Sequence, residues 1–293
     1  MTEPPALRLG IAYVPTTPPE QLRALAETAE HSGLDELWVW EDSFKQSGIA
    51  SAAAALAWTE RITVGIGLLP VPLRNVALTA MELASLERMF PGRLVAGVGH
   101  GVQAWMEQAG ARVASPLTLL REYATALRDL LAGERVSVAG RYVRLEDVVL
   151  DWPPAVPPPL MLGGAGPKAL ALAAELGDGT LLGNVLSESE VAEVGALVAR
   201  SAGRRPHALV STQLVATGAD APQRLEREVP RWGRPAEPGI GVAGDAATIA
   251  TALRRLGDVG VTSVSVQATE DEPDLLGFVR FLGTEVKPLL TSA

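Results

Sequence analysis

A regular alternation of short apolar runs and longer helical stretches constrains this chain more than any other feature, and it recurs almost from end to end. Residues 7–14 form an apolar run ending at Pro15, a strand by length and flanks. Residues 20–31 then set Leu22, Leu25, Ala26 and Ala29 at helical spacing, and Gly33 supplies the stop. The pairing repeats as strand 37–40 with helix 49–58, strand 62–69 with helix 76–89, and strand 94–98 with helix 117–132. Residues 136–145 break the rhythm, alternating about Ala139 and Gly140 as a β-hairpin does. After the proline stretch 153–159 come strands at 160–162, 180–182, 208–216 and 261–266, with helices at 167–176, 189–201, 223–232, 246–256 and 275–290. About eight strand-then-helix units in one series predict parallel strands that close into a (β/α)8 barrel. A doubly wound open sheet is the alternative, but it rarely sustains so many uniform units. No linker separates two compositions. The expectation is therefore one α/β domain over residues 1–293, a (β/α)8 TIM barrel with the hairpin inserted between units four and five.

Composition then narrows the function. The 293 residues carry 34 acidic against 25 basic side chains, a net −9, the opposite of a nucleic-acid footprint. The absence of cysteine excludes disulfides, thiol nucleophiles and thiolate metal sites. The opening Met1-Thr2-Glu3-Pro4-Pro5 lacks the basic and apolar regions of a secretory signal. No apolar run reaches the ~18 residues of a membrane helix. These features predict an acidic cytoplasmic protein with a small-molecule substrate, no nucleic-acid partner and no membrane contact.

In a barrel of this kind, ligands bind where strands run into the following loops. Those positions hold Tyr13, then Glu41, Asp42 and Ser43, then Gly67, Leu68, Leu69 and Pro70. Further along come Gly97 to Gly101, Gly163 to Gly166, Gly183 with Asn184, Gln213 and Gln267. They offer backbone donors and a few polar tips, with no nucleophile–base pair at a recognisable spacing. His31, His100 and His207 are isolated, and no H-x-E or H-E-x-x-H pattern predicts a zinc site. His31 ends a helix and His207 begins a strand, so both read as structural.

The run Gly163-Gly164-Ala165-Gly166-Pro167-Lys168 joins a strand to a helix. Its glycines would let backbone N–H groups approach an anion at a helix N-terminus, or would simply make a tight turn. It lacks the Gly-Lys-Ser/Thr of a nucleotide-binding loop. Gly97-Val98-Gly99-His100-Gly101 suits either a flat ligand or a crowded turn. Asp42 and Glu41 suit orientation of a ring N–H, proton acceptance, or helix capping. Trp38 and Trp40 share one strand face, for packing or for a cofactor wall.

Several of these segments together resemble the luciferase-like flavin and deazaflavin oxidoreductases. The resemblance rests on Thr63-Val-Gly-Ile-Gly-Leu-Leu-Pro-Val-Pro-Leu-Arg-Asn75, Met81-Glu-Leu-Ala-Ser-Leu-Glu87 and Phe90-Pro-Gly-Arg-Leu-Val-Ala-Gly-Val-Gly-His-Gly101. It extends through the run that begins at Gly163 and ends at Gly179. The resemblance implies a (β/α)8 barrel that transfers a hydride between the deazaflavin coenzyme F420 and a small organic substrate. The alternatives are an FMN-dependent monooxygenase using reduced flavin and O2, and a non-catalytic flavin-binding barrel.

By the same resemblance, Asp42 contacts the cofactor ring. Gly67, Leu68 and Leu69 form a strand-three bulge behind the ring, with a non-prolyl cis peptide expected at Gly67–Leu68. Gly99 and Gly101 border the ring, and Gly163, Gly164, Ala165 and Gly166 meet the phosphate. Deazaflavin-dependent sugar-phosphate dehydrogenases carry a His after the strand-two Asp and a Glu beyond the fourth-strand glycine turn. Here Ser43 and Val102 stand in those places, so that acid–base pair is not carried over. His100 becomes the candidate catalytic side chain. The glycine-rich fifth-strand turn, without a long insertion after strand seven, resembles the deazaflavin branch. Relatives commonly form homodimers through early helices, and the apolar helix 49–58 fits that role.

Overall fold

The computed structural model describes residues 6–183, 185–203, 205–235 and 239–291, so Asn184 lies outside the described residues. The chain runs β1 (Arg8–Tyr13), α1 (Leu22–His31), β2 (Glu36–Val39), α2 (Gly48–Trp58), β3 (Thr63–Pro70), α3 (Val76–Met89) and β4 (Leu94–Gly99). A short α4 (Gln103–Gln108) precedes α5 (Pro116–Leu131) and the hairpin β5 (Val136–Ala139) and β6 (Arg144–Val148). Next come β7 (Leu160–Gly163), α6 (Pro167–Leu176), β8 (Gly179–Leu181), α7 (Glu188–Ala202) and β9 (Ala208–Ala216). The chain finishes with α8 (Ala221–Glu228), β10 (Val242–Ala243), α9 (Ala246–Asp258), β11 (Ser263–Ala268), α10 (Leu275–Phe281) and α11 (Lys287–Thr291).

The large sheet has the order β10-β9-β11-β1-β2-β3-β4-β7-β8, and β8 pairs again with β9. That last pairing closes a ring, leaving β10 as an appendage on β9. All its pairings are parallel, whereas β5 and β6 pair antiparallel outside the ring. The predicted barrel and its inserted hairpin are both present.

Strand residues alternate between two cores. Leu9, Ile11, Leu37, Val39, Val64, Ile66, Val264 and Val266 face outward into the layer shared with the helices. Inside the ring, Trp38, Met161, Leu181 and Val210 form a separate cluster. Trp38 fits because its neighbours lack side chains. A Cβ at Gly65 would lie 2.4 Å from the indole, and one at Gly10 would lie 3.2 Å away. Below it a polar plug seals the barrel. Glu36 accepts hydrogen bonds from Arg8 Nε at 2.5 Å, Trp38 Nε1 at 2.6 Å and the Ser263 hydroxyl.

Helix starts follow local chemistry. Ser47, Asn75, Ser187, Asp245 and Asp274 each accept a backbone N–H in the first turn of a helix. Two predicted helices are broken up. Residues 223–232 divide into α8 and a tight turn, Val229–Trp232, and the last helix opens into a wide turn at Leu282–Val286. That wide turn carries Gly283, where a Cβ would fall 2.2 Å from the Ser32 carbonyl oxygen.

Candidate active site at the barrel mouth

Beyond β2, Trp40 is buried and meets Trp232 edge to face, with centroids 6.1 Å apart and planes at 84°. The two carboxylates that follow separate. Glu41 accepts the Gly48 N–H at 2.7 Å and pairs with Arg74, which also reaches Glu82 at 3.3 Å. It ties α2 to the start of α3. Asp42 is half-buried, 3.3 Å from Lys45 Nζ, and keeps the strand-end position. Ser43 is buried, and its hydroxyl has no partner among the described residues.

The peptide Gly67–Leu68 is cis, as the resemblance implied. The β3–β4 register shifts between Ile66 and Leu69, the bulge expected there. Leu68 reaches across two further strands. A Cβ at Gly99 would lie 2.6 Å from its Cδ2, and one at Gly163 only 2.3 Å away. Residues from three separate motifs thus meet at one place. Gly97 continues the surface, since a Cβ there would sit 2.2 Å from the Ile66 carbonyl oxygen. The β3–β4–β7 side of the mouth is therefore a wall of glycine backbone on which Leu68 and Leu181 lie, a Cβ at Gly97 also falling 2.6 Å from Leu181 Cδ1.

At its rim, Gly101 has φ +67°, a left-handed conformation that favours glycine. His100 is half-buried, with Nδ1 2.9 Å from the Gly101 carbonyl oxygen. Nδ1 donates in that bond, so in the neutral ring Nε2 is the acceptor. Gln103 Nε2 donates to the His100 carbonyl at 3.0 Å and steadies the turn.

The glycines of residues 163–166 have different reasons to be glycine. At Gly164 a Cβ would lie 2.5 Å from Ala169 Cβ, so close packing onto α6 alone explains the residue. Gly166 has an ordinary φ of −88° and nothing within 4 Å of a built Cβ. It stands just before Pro167, at the N-terminus of α6, and the exposed Ala165 precedes it. Gly183, after β8, is equally open. The fold has no need of glycine at either place.

A cleft of about 30 Å³ lies between Trp38, Trp40 and Gly67 on one side and Val210, Thr212 and Ser265 on the other. Among the described residues, the Ser265 hydroxyl and Gln267 Oε1 are buried without a partner. Gln213 is buried too, and the Tyr13 hydroxyl donates to the Pro18 carbonyl at 2.9 Å. Burial, foremost, raises the pKa of Tyr13.

The other histidines lie elsewhere. His31 is exposed at the end of α1. His207 Nε2 is 2.8 Å from Thr180 Oγ1 beside a 550 Å³ groove between α7 and α9, at the strands' N-terminal end. Burial, foremost, with Arg205 nearby, lowers its pKa. Among the described residues, no group of three or more His, Asp or Glu could hold a metal ion.

Trp232 and Ser265 join the mouth without having been expected there. Trp232 is brought to the mouth by a contact across 192 positions that no local pattern announces, 232 less 40. The available signal for Ser265 was Ser263, Ser265 and Gln267, polar at alternate positions of an apolar strand.

A family model described as luciferase-like monooxygenase matches residues 6–263. The 5,10-methylenetetrahydromethanopterin reductase of Methanolobus tindarius is 33% identical over 177 residues, 60% of this chain and 54% of the relative. The match thus spans about half of that curated relative's length. The coenzyme F420-dependent tetrahydromethanopterin reductase from Methanopyrus kandleri superposes with a TM-score of 0.82 at 21% identity, covering 97% of this chain and 99% of the other. The oxygenating constituent of 3,6-diketocamphane monooxygenase from Pseudomonas putida, solved with FMN, gives 0.80 at 16%, covering 97% and 98%. Both structural likenesses concern the fold.

Proposed function

Since this chain belongs to the luciferase-like monooxygenase family, we propose that it is an oxidoreductase passing a hydride between coenzyme F420 and a small organic substrate. The observation that carries this reading is the backbone wall of Gly67, Gly97, Gly99 and Gly163, a surface on which a planar ring can rest. The residues fit such a group. The wall is glycine backbone overlaid by the apolar side chains of Leu68, Leu181 and Trp38, and Gly166 is open at the start of α6, where N–H groups and helix polarity favour a phosphate. When bound, the deazaflavin supplies the carbon that gives or takes the hydride.

The chain's own residues do the rest. Gly67, Leu68 and Leu69 back the ring, Gly99 and Gly101 border it, and Asp42 orients its edge. Gly163, Gly164, Ala165 and Gly166 form the phosphate turn, with direct approach at Gly166. His100, whose Nε2 is an acceptor, takes or returns the proton that accompanies hydride transfer at the substrate. Trp40 and Trp232 limit water at the mouth. FMN with O2 is the second reading, favoured by the FMN-bound monooxygenase of the same fold.

The reading extends to one barrel domain over residues 1–293 and a homodimer. Support for the dimer comes from α3, which exposes Leu78, Met81 and Met89 at helical spacing, with Trp58 exposed on α2. Native purification, followed by mass and absorption of the retained ligand, tests the function. A deazaflavin spectrum supports it, and a flavin spectrum points to the second reading.

A further inference from the structure

The inward face of β11 carries Ser263, Ser265 and Gln267 at alternate positions, while Val264 and Val266 face the helices. Ser263 has a partner in Glu36. Ser265 and Gln267, nearer the mouth, are 2% and 3% exposed, and the Ser265 hydroxyl and Gln267 Oε1 have no partner. Buried polar groups are nearly always hydrogen-bonded, because leaving one unpaired is costly. Ser265 lines the cleft and Gln267 follows it on the same face of the strand, so the pair signals a ligand that completes them.

Their position identifies which ligand. In the ring of strands, β1 and β2 separate β11 from β3, so β11 stands across the barrel from the backbone wall. A planar cofactor held against that wall would have its other face toward β11, the side from which a substrate would be met. Resting on the cofactor reading above, we propose that Ser265 and Gln267 recognise the substrate, and that they take an uncharged alcohol, or the ketone it yields, rather than an anion.

The charge pattern supports a neutral partner. A hydroxyl and a carboxamide both donate and accept, which suits a neutral oxygen, whereas an anion is better served by Arg or Lys. Three cations of the surrounding loops are already engaged. Lys45 pairs with Asp42, Arg231 with Glu270 and Arg234 with Glu190.

The test uses the full chain loaded with F420, with cyclohexanol and glucose 6-phosphate as probes. Cofactor affinity is measured by tryptophan fluorescence, and probe affinity by calorimetry on the loaded protein. Ser265→Ala and Gln267→Leu are expected to weaken cyclohexanol binding about tenfold each, the size of one lost buried hydrogen bond. Cofactor affinity and the denaturation midpoint should stay within about twofold and a few degrees of wild type. Glucose 6-phosphate should bind more weakly than cyclohexanol.

Several results overturn the proposal. One is unchanged cyclohexanol affinity in both variants, which would mean that these groups merely hold buried water. Another is a loss of cofactor affinity in place of probe affinity, and a third is tighter binding of the phosphate ester or no binding of cyclohexanol. If the wild type binds no F420, the cofactor reading fails first and this proposal falls with it. If F420 binds and only the probe results disagree, the substrate assignment alone falls.

Discussion

The two ends of the barrel interior are built from similar residues and treat them differently. At the bottom, Glu36, Arg8, Trp38, Ser263 and Thr63 satisfy one another, with Arg8 also donating to Thr63 Oγ1 at 3.0 Å. At the mouth, Ser265 and Gln267 are as deeply buried as Glu36 and Ser263, yet the Ser265 hydroxyl and Gln267 Oε1 lack partners among the described residues. The glycines differ in the same way. Gly10 and Gly65 make room for an indole belonging to the chain itself, whereas Gly166 and Gly183 make room for nothing in the fold. A polar group or a glycine inside a barrel is thus not a functional signal by type. It becomes one when the fold leaves it unexplained.

The contrast is tested hardest at the plug. Glu36→Leu strips acceptors from Arg8, Trp38 and Ser263, and is expected to cost about 3 kcal/mol of stability in urea denaturation. A loss under about 1 kcal/mol would show that the bottom network contributes little. Gly65→Ala drives a methyl into the Trp38 ring and is expected to cost about 2 kcal/mol by the same assay, as overpacked cores do. Cofactor affinity should change less than stability does in either variant.

Gly166→Ala sharpens the other half of the comparison. Its Cβ meets nothing, so the denaturation midpoint should be near wild type, while F420 affinity falls about tenfold. Unchanged affinity would leave Gly166 as an ordinary turn residue. Gly164→Val is the poorer probe, because the clash with Ala169 mixes folding with binding.

The smallest effect is expected at His207. Its lowered pKa means that the unfolded chain takes up a proton more readily than the fold. The neutral ring's contribution is present above pH 6.5, the ordinary value, and is lost as pH falls below it. Denaturation midpoints between pH 7 and pH 5 should decline less in His207→Gln than in wild type.

What the sequence made legible follows from the range of the forces involved. Periodicity reports local burial, so the alternation of units and the hairpin about Ala139 and Gly140 came through with ends near those observed. The bulge at Gly67–Leu68 came through by resemblance and is present. Which of two adjacent carboxylates would hold a helix was not readable. Glu41 is claimed by Gly48 and Arg74, and the decisive partner lies 33 positions away. The packing demand on Gly164 was unreadable likewise, since the approach of Ala169 is visible only once α6 is in place. Short α4 and the two-residue β10 carry too little pattern to register. The unpaired state of Ser265 and Gln267 is a fact about every neighbour at once, and no local window contains it.

The central claim is that the backbone wall and the turn at Gly166 hold a deazaflavin. Separate titrations of F420 and FMN into the protein, read by quenching of tryptophan fluorescence, test it most directly, because Trp38 and Trp40 line the cleft beside that wall. Quenching is expected at lower concentrations of F420 than of FMN. Tighter binding of FMN, or no saturable quenching by either, would contradict the claim.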